Sequence, residues 1–518
     1  MRLTLKQYEN RYKIIGEDYV LDFAIIFLIL VSAVIRAYLF DFQSADYTTF
    51  LRPWFDTFKS SGFIDGLKNV NSDYMPSYRY LLGILSMMGS DSLQLIKLSS
   101  VLFDYVAAFG VYLILKTKFS ATKSLFFTAA FLYIPTVVLN AAYWAQCDAM
   151  YAAFILFSLY FILKDKFSWA FIMFGLALAF KLQAIFFLPV LLILYFRKRF
   201  SILNAIWIVA VPIIVGIPYV LLGRSPLFTL DIIKMQTERY GAYIMNAPSL
   251  YAWFFKSEYV KGYASAGVLF AIALLGFFAF LFLKRNKKVN DNTIITLSAF
   301  ITLLVPFILP GMHERYFYLA DILTFIYAIY NPKRFYVPLI VIFASYNGYI
   351  SFLRNWQILD RTMVVFGLLF ALINIGKDLF FNKEQAQAEK EIKKESYIPL
   401  ITEETITENT AEYRREFLPE FFRETPAYIT AEAIETEEKP KRRTRKKVAE
   451  GEISENIDKL PTEAEEKPKR KPRKKADEPT QEIVIENIET PPAQTEEKPK
   501  RKPRKKTAET EEVQPENK

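Results

Sequence analysis

The chain has 518 residues, of which 53% are hydrophobic, 16% aromatic and 23% charged, and its formal net charge is +10. Charge is uneven: 30 of the 64 Lys and Arg residues and 33 of the 54 Asp and Glu residues lie after Asn382. The region up to Asn382 is too apolar for a water-soluble globule, and the region after it is too polar to bury a core. One cysteine and one histidine exclude a disulfide framework, a thiolate metal cage and a His-rich metal site.

Long apolar runs recur along the first 382 residues. A helix crosses the hydrocarbon core of a bilayer with about 20 apolar residues, and several of the runs approach that length. They are 20–40, 95–115, 124–140, 148–163, 167–181, 184–196, 202–222, 265–283, 293–310, 316–330, 335–353 and 362–380. The sequence therefore predicts an all-α polytopic membrane domain, residues 20–382, with about twelve transmembrane helices and a short N-terminal segment, residues 1–19.

Basic clusters mark every second junction between these runs. They lie at 116–123, 164–166, 197–199, 284–288 and 333–334. Because short cytoplasmic loops are enriched in Lys and Arg, we expect these junctions, the N-terminus and the C-terminal tail to be cytoplasmic. The opposite, outer face then carries two long segments, 41–94 and 223–264, whose amphipathic stretches predict helices lying in the membrane interface.

Unusual polar residues of the apolar domain fall on this predicted outer face. Carboxylates follow the first helix at Asp41 and Asp46, and Asp73 precedes Pro76, which is a helix-start signal. The short outer junctions contain Trp144, Gln146, Asp148, Lys181, Gln183, His313, Glu314 and Arg315. Solvated loop residues, a snorkelling lysine or a buried ion pair are the structural alternatives. Two further charged residues, Lys97 and Asp104, are better explained as structural partners of other helices.

The residue types on this face indicate a chemistry. Cations at a membrane surface suit a phosphate or pyrophosphate, and a carboxylate held apart from them suits a general base. A lipid-borne phosphate donor, together with a base for an acceptor hydroxyl, would use both.

The order of these motifs resembles that of the polytopic GT-C glycosyltransferases, which use polyprenyl-phosphate sugars at the extracytoplasmic face. The resemblance covers residues 20–380. It is strongest to bacterial relatives of the GPI-anchor mannosyltransferases, and it extends to the dolichyl-phosphoglucose glucosyltransferases. The matching pieces are Asp46…Trp54, Asp73–Pro76, Trp144–Asp148, Lys181–Gln183, Asn246–Trp253 and Met312–Tyr316. Tyr74-Met75-Pro76 departs from the usual Tyr-Pro-Pro.

The resemblance implies a multi-pass enzyme of the bacterial cytoplasmic membrane that moves a mannose-like hexose, with inversion, onto a glycan, lipid or protein acceptor. It favours Asp46 as the general base, because the spacing to Trp54 is similar to that of the family, with Asp73 and Asp41 as alternatives. Lys181 and Arg315 would stabilise the leaving phosphate, and His313 would donate a hydrogen bond to it. Glu314 would orient Arg315. Substrate contacts are expected from Gln183, Trp144, Gln146, Asp148 and Asn246. No cofactor is expected, although the three Asp residues leave a divalent metal open.

The tail, residues 383–518, repeats a Lys/Arg/Pro-rich block at 437–447, 465–475 and 496–506. Such a composition predicts disorder. Binding to anionic membrane lipid or to a cytoplasmic partner is the favoured role, an inert solvated tail is the second, and nucleic-acid contact is the least favoured.

Two other classes stay open at this point. A transporter or flippase of a lipid-linked or sugar substrate would also span the membrane, but transporters place polar groups near the midplane and contain repeats, whereas here they collect at one face. A membrane scaffold would not need the outer-face cluster.

Overall fold

The computed structural model describes residues 5–239, 244–255, 261–285 and 289–381. The predictions for the tail, residues 383–518, lie outside the described residues. The described residues form sixteen α-helices and one pair of short strands.

The first eight helices are α1 (Leu5–Tyr38), α2 (Arg52–Asn69), α3 (Pro76–Ser86), α4 (Ser92–Leu115), α5 (Ala121–Phe131), α6 (Pro135–Val138), α7 (Asp148–Leu163) and α8 (Phe167–Phe180). The other eight are α9 (Leu188–Phe196), α10 (Ile206–Leu221), α11 (Phe228–Arg239), α12 (Lys261–Lys284), α13 (Asp291–Ile308), α14 (Tyr318–Tyr330), α15 (Tyr336–Arg354) and α16 (Arg361–Phe381). Strands β1 (Ile244–Met245) and β2 (Met312–His313) pair in parallel.

The helices confirm an all-α polytopic membrane protein. Among the described residues, seven stretches are long and apolar enough to cross a membrane, in α1, α4, α10, α12, α13, α15 and α16. An eighth span results if α5 and 135–143, bent by 60° at their junction, count as one. The expected number of about twelve also counted shorter apolar helices. For example, α7 has 16 residues and α8 has 14, fewer than the roughly 20 that a full crossing needs.

Local sequence signals set several helix starts. Pro76 occupies the first position of α3, as predicted, where its missing N–H costs nothing. The side chains of Asp91 and Asn290 cap α4 and α13 by accepting hydrogen bonds from backbone N–H groups two and three residues further on. The first apolar span begins at Val20, and the helix that contains it, α1, already begins at Leu5.

Burial separates a central group of helices from a peripheral one. The main apolar core joins side chains of α4, α7, α8, α9, α13, α14 and α16, and 83% of the apolar stretch of α13 is buried. By contrast, only 17% of the corresponding stretches in α1, α10 and α12 is buried. The exposed apolar faces of these three helices are the ones that would meet lipid tails.

The polar junctions gather at two opposite ends of this bundle. At one end, Lys118 reaches the Tyr330 carbonyl at 3.3 Å and Arg199 pairs with Asp165 at 2.6 Å. We call this the basic end. The other ends of α7, α8 and α14 carry Asp148, Lys181 and Arg315, and we call this the cleft end. The sequence alternation of basic and non-basic junctions is thus reproduced in space, while the assignment of the basic end to the cytoplasm stays a prediction.

Candidate active site

Asp46 lies at the centre of the cleft end, in the turn that follows α1. Its Oδ2 atom accepts hydrogen bonds from Trp144 Nε1 at 3.0 Å, Gln146 Nε2 at 2.7 Å and Arg315 Nη1 at 2.8 Å. Asp46 itself retains 18% side-chain exposure. All three donors bind the same oxygen, so none of these hydrogen bonds uses Oδ1.

The segment that supplies two of these donors has an irregular backbone. A π-helical turn spans Leu139–Tyr143, and Ala145 then adopts a left-handed conformation with φ 67°. The Ser44 hydroxyl donates to the Trp144 carbonyl at 2.8 Å, which ties this segment to the Asp46 turn. Trp144 is fully buried, and its ring stacks on Phe352 with centroids 4.9 Å apart. The packing fixes the direction of the indole N–H toward Asp46.

A second ion pair lies beside the first. Lys181, at the end of α8, donates to Asp148 Oδ1, and Asn140 Nδ2 donates to Asp148 Oδ2 at 2.9 Å. Both charged side chains are at least 95% buried. Burial of an ion pair is costly unless both partners keep good hydrogen bonds, and Asn140 supplies one of these. The Lys181 ammonium also lies 5.6 Å from the centre of the Tyr74 ring.

These groups border an open cleft with about 570 Å³ of empty space, its mouth included. Six of the predicted site residues line it: Asp46, Asp73, Gln146, Lys181, Gln183 and Arg315. Aromatic rings of Trp54, Tyr74 and Tyr316 form further parts of the wall, with Gln236. Sequence reasoning missed Gln236, which comes from α11 and stands in no motif. Tyr74 and Tyr316 stood inside quoted motifs but were not singled out.

Five predicted substrate-binding residues lie outside the lining of the cleft: Trp144, Asp148, Asn246, His313 and Glu314. Trp144 and Asp148 hold the lining residues Asp46 and Lys181. Asn246 has a left-handed backbone (φ 64°) and forms a backbone bridge with His313, while its side-chain oxygen accepts from Arg361 at 2.8 Å. These residues therefore contact neighbouring residues and do not border the cleft themselves.

Among the described residues, Glu314 forms no ion pair with Arg315, the residue it is expected to orient, and neither of its carboxylate oxygens accepts a side-chain hydrogen bond. Its side chain is buried against Gly348, where an added Cβ would lie 2.7 Å from the Glu314 Cβ. Burial raises the pKa of Glu314 to about 8, against the opposing effect of Arg315. Glu314 is therefore mainly protonated at neutral pH. Burial and the nearby cations also lower the pKa of His313, which leaves the imidazole neutral.

The three candidate carboxylates have different environments. Asp73 is buried in the cleft wall, and its carbonyl accepts from Gln236 Nε2 at 2.8 Å. The turn that carries it is held by Arg79, which donates to the Tyr74 carbonyl at 3.0 Å. Asp41 is exposed and does not line the cleft. Lys97 Nζ lies nearby and binds the Phe40 carbonyl at 2.8 Å.

A metal site needs several such ligands in one place. Among the described residues, no group of three His, Cys, Asp or Glu side chains gathers with a geometry that could hold a metal ion. Asp41, Asp46 and Asp73 thus do not form a shared ligand set.

The fold and the cleft define a multi-pass membrane protein with paired acids and cations around a polar cleft at one end of its helices. The family model described as glycosyltransferase family 87 matches residues 74–310, just under half of the chain. The matched region includes Gln146, Lys181 and Gln183, whereas Asp46 and Arg315 lie outside it. The match supports a membrane glycosyltransferase and does not single out the GPI-anchor or dolichyl-phosphoglucose enzymes. Among curated proteins, none matches this chain.

Proposed function

We propose that this protein transfers a mannose-like hexose from a polyprenyl-phosphate sugar to an acceptor hydroxyl at the extracytoplasmic face, with inversion at the anomeric carbon. The observation that carries the proposal is the position of Asp46, which borders the cleft while one of its two oxygens is held by three donors. The family match supports the reaction class.

Asp46 would act as the general base. The acceptor oxygen attacks the anomeric carbon, its proton passes to the Asp46 carboxylate, and the bond from the anomeric carbon to the phosphate oxygen breaks with its electron pair left on the phosphate. A positioned base typically contributes about 10²- to 10⁴-fold to such a step. Trp144, Gln146 and Arg315 fix the carboxylate through Oδ2, which presents Oδ1 to the acceptor.

Lys181 and Arg315 would stabilise the leaving phosphate. Both line the cleft, and each is already oriented by a carboxylate, Asp148 or Asp46. Lys181 uses one of three ammonium protons on Asp148, so its other protons can be donated to phosphate oxygens. Because the phosphate gains negative charge as the bond breaks, these cations bind the transition state more strongly than the donor.

The remaining lining suits a sugar ring. Trp54 and Tyr74 meet edge to face, with ring centroids 5.5 Å apart, and such rings pack against the C–H faces of a hexose. Gln183 and Gln236 provide amide groups that can both donate to and accept from sugar hydroxyls. The acceptor would be a glycan, lipid or protein that presents a hydroxyl at the mouth of the cleft.

Purified protein should be incubated with polyprenyl-phosphate mannose, glucose and other sugars, each radiolabelled in the sugar, and with membrane extract as the acceptor source. We expect label to appear in a product that no longer contains the polyprenyl chain. Parallel reactions with nucleotide sugars serve as the donor control. Transfer from nucleotide sugars alone would refute the proposed donor. Movement of intact labelled lipid across reconstituted vesicles, with no bond broken, would indicate a flippase instead.

A further inference from the structure

A buried lysine of α4 is bound to the turn that carries Asp46. We call residues 39–46, which follow α1, the Asp46 turn. Lys97 is fully buried, so its ammonium group does not snorkel to the membrane surface. Its Nζ atom donates to three backbone carbonyls, those of Leu39 at 3.1 Å, Phe40 at 2.8 Å and Phe42 at 2.6 Å. An ammonium group has three protons, and each of them has an acceptor here.

The partners of Lys97 indicate what it does. Charged residues inside membrane-spanning helices are rare, and they pair with opposite charges or with backbone carbonyls. Lys97 lies in α4, a candidate membrane span, and none of the ion pairs among the described residues includes it. It does not line the cleft either. Lys97 therefore acts on the backbone that it binds and not on a substrate.

A second buried contact joins α1 to α4 further along the same helix face. Arg36 Nε pairs with Asp104 Oδ2 at 2.9 Å, and both side chains are at most 1% exposed. Asp104 follows Lys97 by seven residues, which is about two helical turns. This ion pair lies within α1, whereas the carbonyls bound by Lys97 come after Tyr38, the last residue of α1. The ion pair holds the helix, and Lys97 holds the turn.

The rest of the Asp46 turn is attached to the segment that binds Asp46. The Phe42 ring stacks on Tyr143 with centroids 3.8 Å apart, and the Ser44 hydroxyl donates to the Trp144 carbonyl at 2.8 Å. The turn is thus fixed by α4 at its start and by this segment in its middle. A shift at its start would change the position of the Asp46 carboxylate relative to its donors.

We propose that Lys97 is a positioning residue for sugar transfer, which holds the Asp46 turn so that the Asp46 carboxylate meets the acceptor hydroxyl in a productive geometry. The inference rests on the proposed function, since it takes Asp46 as the base. A displacement of about 1 Å at a reacting group can lower a rate by about 10²-fold, so a residue without substrate contact can control turnover. Donor binding, by contrast, would depend on Lys181 and Arg315.

The proposal predicts a split between kcat and KM. Lys97→Met keeps the length of the side chain but removes its donors, so kcat per folded molecule should fall by about tenfold or more, with the KM for the lipid-phosphate sugar nearly unchanged. The matched control is Arg36→Met with Asp104→Leu. It removes the neighbouring contact in favour of apolar side chains, which a buried ion pair often tolerates, and should keep a kcat near that of the wild type.

Two kinetic results would overturn the proposal. One is an equal loss of kcat in the control variant, because the turn would then depend on the docking of α1 in general. The other is a wild-type kcat in folded Lys97→Met protein.

Hydrogen exchange of backbone amides, measured by mass spectrometry on the full-length protein in detergent, reports on the turn without any substrate. Peptides that cover residues 39–47 should exchange faster in Lys97→Met than in the wild type or the control, because the turn opens more often. If Lys97→Met does not fold, Lys97→Gln keeps two N–H donors on a shorter side chain and should show the same changes at smaller size.

The two readouts separate this inference from the proposed function. Exchange like that of the wild type in a folded Lys97 variant would refute the positioning role, even where the wild type transfers sugar. A wild type that transfers no sugar from lipid-phosphate donors would refute the proposed function, while the exchange data would still decide whether Lys97 holds the Asp46 turn.

Discussion

Lysine and arginine side chains have different surroundings at the two ends of the helical bundle. At the basic end, two cations bind backbone carbonyls in the last turns of helices: Arg197 donates to the Phe282 carbonyl at 2.8 Å, and Lys118 to that of Tyr330 at 3.3 Å. The last carbonyls of a helix have no intrahelical partner, and a nearby cation also complements the helix dipole. These cations therefore stabilise helix ends.

At the cleft end, Arg315 and Lys181 bind carboxylates at the border of an open cleft. The carboxylates orient the cations, but they leave donors that can still meet a substrate. The type of partner alone does not make this difference, because Arg199 and Arg334 at the basic end also pair with carboxylates. The difference teaches that a cation can take part in chemistry where it also borders the polar cleft, as Lys181 and Arg315 do.

The largest expected effect separates two aspartates, Asp46 and Asp41, that lie only five residues apart in sequence. Asp46→Asn keeps the side-chain shape but removes the base, so turnover should fall by about 10²- to 10⁴-fold with donor binding nearly unchanged. Asp41→Asn, at an exposed position outside the cleft lining, is the matched control and should retain near-normal turnover. Sugar-transfer rates and donor binding should both be measured. An active Asp46→Asn variant beside an inactive Asp73→Asn variant would move the base to Asp73.

The second prediction concerns the Lys181–Asp148 pair. Lys181→Met leaves Asp148 buried without its cation, which should cost about 3–5 kcal/mol of unfolding free energy. The double variant with Asp148→Asn should recover much of that stability without recovering sugar transfer, because the cation that faces the phosphate is still missing. Thermal unfolding in detergent and transfer assays provide the two readouts. Recovery of transfer in the double variant would show that Lys181 serves only the fold.

The third prediction concerns pH. Burial raises the pKa of Glu314 from its ordinary value of 4.5 to about 8, so the folded state holds a proton that the unfolded state releases between these values. Its contribution to stability is therefore lost as the pH rises through this window, by up to about 1.4 kcal/mol per pH unit. Glu314→Gln should gain stability relative to the wild type from pH 5 to pH 8 and level off above it. A stability difference that does not vary with pH would show that Glu314 ionises normally.

The smallest effect is expected at the basic end. Arg334→Ala removes a partly buried ion pair with Asp378 and should cost about 1–3 kcal/mol of stability, while turnover per folded molecule stays that of the wild type. Lys164→Ala, at an exposed position of the same end, should change stability by less than about 0.5 kcal/mol. A loss of turnover in folded Arg334→Ala protein would contradict the separation of the two ends.

Apolar length and charge patterning were sufficient to predict the long helices and the two-ended organisation. The predicted number of about twelve spans includes short apolar helices such as α7 and α8, and run length in sequence does not reveal where such a helix ends in space.

The site could be predicted as a set of motifs but not as a set of roles. Gln146 and Asp148 stand two residues apart, yet Gln146 lines the cleft and Asp148 is buried behind it. The backbone just before both residues is irregular, with a left-handed Ala145, and an alanine gives no sequence signal of that conformation. Gln236 reaches the cleft only through tertiary packing of α11, and a lone glutamine in an amphipathic helix carries no signal of its own.

The side of the membrane on which the cleft opens tests the proposed donor most directly. A cleft on the outer face would meet lipid-phosphate sugars, whereas nucleotide sugars are available in the cytoplasm. The only cysteine, Cys147, is buried, so a Cys147→Ser background permits single-cysteine labelling in intact cells. Ser60→Cys reports on the cleft end and Lys166→Cys on the basic end, both at exposed positions. A membrane-impermeant maleimide added from outside should label position 60 and leave position 166 unlabelled until the membrane is opened. Labelling of position 166 but not of position 60 in intact cells would place the cleft in the cytoplasm and contradict the proposed donor.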